Sequence, residues 1–213
     1  LQGNWDAPIG GAGLTYQETH SVPLLGDFDQ DGALDLWLSA TYDGRPTEFY
    51  RGNGDGTFTL SRWLSGVTDR NGWGMVAVDY DHDGDLDVVA KDLLYRNNGV
   101  GADGGMGKVG DKAHWLQVRT VGDVAANRAG IGASVRVVAG GKTYLRVVDG
   151  GSGQGSQSSL TVHVGLGAAK SVDSIEIVWP GGKKTQFSGP IAVDQRVWAS
   201  ESGKLTPGWT GTP

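Results

Sequence analysis

Two nine-residue segments of this chain carry the pattern Asp-x-Asp-x-Asp-Gly-x-x-Asp. The first places Asp27, Asp29, Asp31, Gly32 and Asp35 in that register, and the second Asp79, Asp81, Asp83, Gly84 and Asp87. Carboxylates this closely spaced repel one another in any compact loop, so a bound cation is the natural counter-charge. Calcium takes about six to eight oxygen ligands, and loops of this kind supply them from positions 1, 3, 5, 7 and 9, with a backbone carbonyl at position 7. The glycine at position 6 allows the sharp turn. Asp27, Asp29, Asp31, Ala33 and Asp35 are thus the expected ligands of one Ca2+, and Asp79, Asp81, Asp83, Asp85 and Asp87 those of a second. Magnesium keeps its waters and takes fewer protein ligands, which favours calcium. An EF-hand would need a glutamate at position 12, where this chain has Leu38 and Ala90.

The flanks of these loops indicate strands. Leu36-Trp37-Leu38 and Val88-Val89-Ala90 follow the two loops, and Met75-Val76-Ala77-Val78 precedes the second. Such short apolar runs suit strands, so each loop is expected to join two of them. Each loop is followed by an aromatic-Arg-Gly/Asn tract, Phe49-Tyr50-Arg51-Gly52 and Leu94-Tyr95-Arg96-Asn97. The distance from Asp27 to Asp79 gives a repeat near 50 residues, the size of a propeller blade. Asp43-Gly44 reads as a hairpin turn within the first copy. Residues 97–113 hold six glycines and little apolar material, which suits a flexible linker.

Beyond the linker the acidic loops stop and alternating strands begin. His114–Arg119, Gly132–Val137, Thr143–Val147, Leu160–Val164 and Ser174–Trp179 each alternate apolar and polar residues. Gly140-Gly141 and Gly181-Gly182 sit where hairpin turns belong. Six or seven short strands of this kind make a small β-sandwich. The expected fold is all-β, with two propeller-blade-like calcium-binding repeats followed by that sandwich. Residues 1–110 hold the repeats and the linker, 111–200 the sandwich, and 201–213, with Pro207, Gly208 and Pro213, an irregular tail.

Composition narrows the function. The 213 residues include 37 Gly and 8 Trp, no Cys, and a formal charge of -6. An acidic chain without a basic tract argues against nucleic acid as a partner. No apolar run is long enough for a transmembrane segment. The first residue is Leu1 rather than Met, which suits a processed protein or part of a longer one. Extracellular calcium modules bind with dissociation constants of about 0.1 to 1 mM, which implies a secreted, periplasmic or cell-surface location.

The loops, with Gly72–Asp79 and Tyr95–Gly99, resemble FG-GAP/VCBS repeats, which form calcium-binding blades in integrin-like β-propellers. The second half resembles the ASPIC/UnbV domain through His114-Trp115-Leu116, Asn127–Ala133, the Gly-Ser-Gln run at 151–158, Val164–Gly167 and Val178–Gly182. That order is the order of the cartilage acidic protein 1-like family. The resemblance implies secretion, calcium binding and adhesion-like roles. It supplies no shared catalytic motif. Two repeats are too few for a closed propeller, which typically needs four to eight blades. Open sheet edges invite pairing, so a protein partner or additional propeller blades are expected.

Other residues offer weaker chemistry. Arg128, Ser152 and Gln157 lie in polar, glycine-rich stretches that could line a lyase- or cyclase-type site in the second half. The competing reading makes these stretches turns, with Arg128 bonding loop carbonyls, and it is preferred. His20, His82, His114 and His163 lack zinc spacing. Trp63, Trp73 and Trp209 are candidates to stack on sugar, which keeps a polysaccharide-binding module and a glycan partner open, whereas Trp37, Trp115 and Trp179 read as core. The leading expectation is a calcium-stabilised β protein that makes protein–protein or surface contacts, and it leans away from an enzyme.

Overall fold

The computed structural model describes residues 11–15, 20–42, 44–61, 72–99, 113–151, 153 and 155–210. They form strands and turns, with no helix among them and hence none long and apolar enough to cross a membrane. The first repeat is an antiparallel meander of β1 (His20–Gly26), β2 (Asp35–Ala40), β3 (Glu48–Gly52) and β4 (Phe58–Leu60). The second is a three-stranded sheet of β5 (Met75–Val78), β6 (Asp87–Ala90) and β7 (Leu93–Tyr95). The acidic loops connect β1 to β2 and β5 to β6. Leu24, Phe28, Trp37, Phe49, Met75 and Val88 form one apolar core between the two sheets. Phe28 meets Trp37 edge-on, with ring centroids 6.0 Å apart. This region is consistent with propeller blades.

The second half has eight strands rather than six or seven. They are β8 (His114–Val121), β9 (Ser134–Ala139), β10 (Lys142–Val147), β11 (Thr161–Gly167), β12 (Ser171–Val178), β13 (Lys184–Ala192), β14 (Gln195–Ser200) and β15 (Leu205–Thr210). One sheet runs β10-β9-β12-β13 and the other β11-β8-β14-β15. Both contribute to one core that includes Leu116, Val118, Val135, Ile175, Trp179 and Val197. Gly140 and Gly141, at φ 56° and 75°, turn β9 into β10, and Gly181 and Gly182, at 94° and 90°, turn β12 into β13. Trp37, Trp115 and Trp179 are buried as the sequence indicated.

Two expectations change here. The tail after Glu201 is not irregular, because β15 pairs with β14. Pro207 is tolerated because β15 is an edge strand, where a missing amide leaves no ladder bond unmade, and the register shifts nearby between Arg196 and Val197. The alternation of buried and exposed residues also fails in β8 and β11. Trp115, Gln117 and His163 point away from the sandwich core and are buried nonetheless. The acidic loops cover them. The Asp43 half of the expected turn, residues 100–112 of the linker, Trp63, and Ser152 and Gln154 of the glycine-serine run lie outside the described residues, as does the Trp209 side chain.

Candidate metal centre

The two loops are conformational copies. Position 4 is left-handed in both, Gln30 at φ 59° and His82 at φ 64°, and the position 6 glycines, Gly32 and Gly84, both sit at 94°. The hydrogen bonds repeat as well. The position 2 amide donates to the last aspartate, Phe28 to Asp35 at 2.9 Å and Tyr80 to Asp87 at 3.0 Å. The glycine amide donates to the first aspartate, Gly32 to Asp27 at 3.1 Å and Gly84 to Asp79 at 3.2 Å. The position 7 amide donates to the third, Ala33 to Asp31 at 2.7 Å and Asp85 to Asp83 at 2.9 Å. The end of the third strand, or the residues just after it, closes each loop: Gly52 donates to Asp35 at 2.9 Å and Asn97 to Asp87 at 2.7 Å.

This framework gathers oxygen atoms. Asp27, Asp29 and Asp31 each offer a carboxylate oxygen within 4.8 Å of the others, and so do Asp79, Asp81 and Asp87. Either triad can hold a metal ion. Asp35 and Asp83 belong to the same loops but stand outside these triads, Asp35 accepting two amides and Asp83 one amide and Arg96. The Asp85 side chain turns to the other loop and accepts from Gln30. Ala33 contributes main chain only.

Three carboxylate oxygens have no hydrogen-bond partner although each is buried: Asp27 Oδ1, Asp79 Oδ1 and Asp81 Oδ1. A buried carboxylate oxygen without a partner is costly, and a cation removes the cost. The donor set is all oxygen, which suits a hard cation such as calcium. None of the four histidines joins either triad. His82 instead faces Arg196 at 3.4 Å, His114 bonds Asp194 at 2.7 Å, and His20 bonds Glu48 at 3.0 Å.

Burial dominates the electrostatics. It pushes the Asp27 carboxyl well above the usual range, with Arg146 opposing and the neighbouring carboxylates adding to the rise. It raises Asp35 to about 7 and Asp87 to about 6, although backbone amides pull both back. Asp29 and Asp79 are raised for the same first reason. The repeated Tyr-Arg pairs at the ends of the third strands reply to this charge. Arg51 pairs with Asp29 and lies 3.8 Å from Asp31, while Arg96 pairs with Asp81 at 2.7 Å and Asp83 at 3.3 Å. The sequence displayed both arginines in matching positions, and their repetition was the signal for this role.

The second half supplies contacts that the sequence did not indicate. Asp27 Oδ2 accepts the Gly165 amide at 2.9 Å, and Arg146 lies 3.6 Å from it and donates to the Gly32 carbonyl at 3.1 Å. Asp79 Oδ2 accepts Gln117 at 2.5 Å, and Gln117 is braced by Arg196 at 2.8 Å. His163 bonds the Gly84 carbonyl at 2.8 Å, and its ring stacks on Trp115. The outer face of the sheet β11-β8-β14-β15 therefore cradles both loops. Gly84 packs on the Trp115 indole and Gly165 on the Gln30 backbone, close approaches that a side chain at either glycine would block.

The glycine-serine run turns as expected, with Gly155 at φ 65° and the Ser156 amide donating to the Gly153 carbonyl at 3.3 Å, and the serines after it reach the first half. Ser158 Oγ accepts the Ala77 amide at 3.1 Å and the Ser159 amide donates to the Ala77 carbonyl at 3.0 Å, so the segment just after the run covers part of the outer edge of β5. Gln157 is exposed beside it. Arg128 is not drawn to loop carbonyls. Asn127 does that work, bonding Ile131 through both side-chain atoms at 2.7 and 2.9 Å. Trp73 is exposed and lies apart from the triads.

Comparison with known proteins fits this division. The FG-GAP-like repeat family matches residues 19–90 and the family described as ASPIC and UnbV matches residues 122–206. Cartilage acidic protein 1 of Xenopus tropicalis is 33% identical over 119 residues, which cover 54% of this chain and 17% of that protein. The shared stretch thus spans a small part of the relative's length.

Proposed function

From a chain that carries an FG-GAP-like repeat followed by an ASPIC/UnbV domain, we propose a calcium-binding β protein that holds one ion in each acidic loop. The observation that carries this reading is the pair of partnerless, buried oxygens at equivalent positions, Asp27 Oδ1 and Asp79 Oδ1. Two loops of the same conformation leave the same atom of the same aspartate unsatisfied, and a cation at each satisfies both. Asp27, Asp29 and Asp31 would hold the first ion and Asp79, Asp81 and Asp87 the second, with the Ala33 and Asp85 carbonyls and the remaining aspartates Asp35 and Asp83 as further ligands.

The role is structural. Each ion neutralises a loop that stands between a blade and the sandwich. With ~1 mM calcium and a ~0.1 mM site, each would stabilise the fold by about 1.4 kcal/mol. That calcium level is extracellular, so a secreted, periplasmic or cell-surface protein is proposed, acting through protein–protein or surface contact. Further blades or a partner protein would cover the sheet edges left open. Isothermal titration of chelator-treated protein tests the metal reading directly. Two calcium ions per chain support it, and heat exchange with magnesium alone or no metal uptake at all would sink it.

A further inference from the structure

The loops cover only one end of the sheet β11-β8-β14-β15. Gln117 and Arg196 lie under them, while two residues further along the same strands the face opens. There Arg119 on β8, Trp198 on β14 and Thr206 on β15 stand side by side, in register across three strands. Trp198 is 44% exposed. Together with Arg128 from the 122–133 loop and Lys204, they line a groove of about 420 Å³.

Three cations meet here on a chain of net charge -6. None of them has an ion-pair partner among the described residues. The carboxylates closest in sequence are engaged elsewhere. Glu201 accepts three backbone amides, from Val124, Ala125 and Ala126, each at 2.9 Å, and Asp123 accepts from Ser202 at 2.6 and 2.9 Å. The loop that bears Arg128 is fixed from below by the Asn127–Ile131 bonds and by Thr120, whose hydroxyl donates to the Ala129 carbonyl at 2.9 Å. The Arg128 carbonyl accepts the Gly122 amide at 3.1 Å, and its side chain has no ion-pair partner among the described residues. An exposed indole flanked by two guanidinium groups offers an external ligand an apolar face and positive charge side by side.

We propose that this groove binds an acidic polysaccharide, one bearing uronate or sulfate groups. The indole of Trp198 offers a flat apolar face for a sugar ring. Arg119 and Arg128 present planar forks that match carboxylate or sulfate in two-point hydrogen bonds, and Lys204 adds a point charge. The proposal is independent of the metal reading, because the groove contains none of the aspartates.

The test uses the full calcium-loaded chain and titration calorimetry against three probes: a heparin-derived octasaccharide, a neutral cello-oligosaccharide of similar length, and polyglutamate. The octasaccharide binds and the other two bind at least about tenfold more weakly, and its affinity falls as salt is raised. The double variant R119A/R128A loses about tenfold or more, W198A loses a similar factor, and R136A, a surface arginine on the other sheet, changes nothing. Melting curves select variants that keep the wild-type transition, and W198L, which stays apolar but has no aromatic face, serves if W198A does not. Absence of octasaccharide binding, equal binding of the neutral sugar, equal binding of polyglutamate, or unchanged affinity in R119A/R128A each overturns the proposal.

Discussion

Gln30, in the first acidic loop, donates its side-chain amide to Asp85 of the second at 2.6 Å and to the neighbouring Gly84 carbonyl at 2.8 Å. The two candidate ion sites are therefore joined by one buried side chain that belongs to neither triad. Removing it leaves Asp85 with a lost donor in a buried setting. Q30A should cost about 1–3 kcal/mol, read as a shift in the urea midpoint at unchanged slope. It should also weaken calcium binding at both loops together, and an effect confined to one loop would contradict the bridge.

The position 1 aspartates offer the most direct separation of the sites. D27N and D79N each keep the side-chain volume and remove the charge beside a partnerless oxygen. Each is expected to lower the calcium stoichiometry by titration from two to one, and the double variant to none. Retention of two ions in both single variants would place the binding elsewhere.

Acidity should act in opposite directions on the ion-free and calcium-loaded protein. Asp35 and Asp87 rise on folding to about 7 and about 6, chiefly through burial. An acid whose pKa is raised on folding binds more protons folded than unfolded, across the interval from its usual value near ~4 up to the raised one. Stability of the ion-free fold is then greatest at the acid end of that interval and falls as pH rises through it. Calcium must displace these protons, so its affinity rises over the same range. Melting curves in chelator at pH 5 and pH 8, paired with calcium titrations at both, check the two signs. A chelated protein more stable at pH 8 would refute the first.

Arg51 and calcium perform the same service for the first loop. R51M removes the cation that pairs with Asp29 while leaving an apolar stem of similar length. The chelated variant should melt below the chelated wild type, and the two should converge in millimolar calcium. The calcium-induced rise in melting temperature is thus larger in R51M than in the wild type, measurable by scanning calorimetry.

The loops were legible in the sequence because a metal loop is local: residue types, spacing and one glycine fall within nine positions. The strands beside them were legible for a similar reason. The docking of the two halves was not. Asp27 meets Gly165 and Arg146, and Asp79 meets Gln117, across sequence separations of 138, 119 and 38 residues. A glycine, an arginine and a glutamine at those distances carry no pattern, and Gln117 sits at an ordinary polar position of an alternating strand. β15 was hidden by Pro207 and Gly208, which read as turn residues until an edge position explains them. Arg128 was read as a turn residue bonding loop carbonyls, and it is its neighbour Asn127 that makes such bonds.

The opening of the sheet between Gln117 and Arg119 divides one strand into two histories. Gln117 is answerable to Asp79, so a change there succeeds only if the other half of the chain changes with it. Arg119, two positions along the same face, has no ion-pair partner among the described residues. Such a strand can exchange its outward residues, and with them its external ligand, while the seam between the two halves stays as it is. The fold holds a fixed joint and an editable surface on one ribbon of backbone.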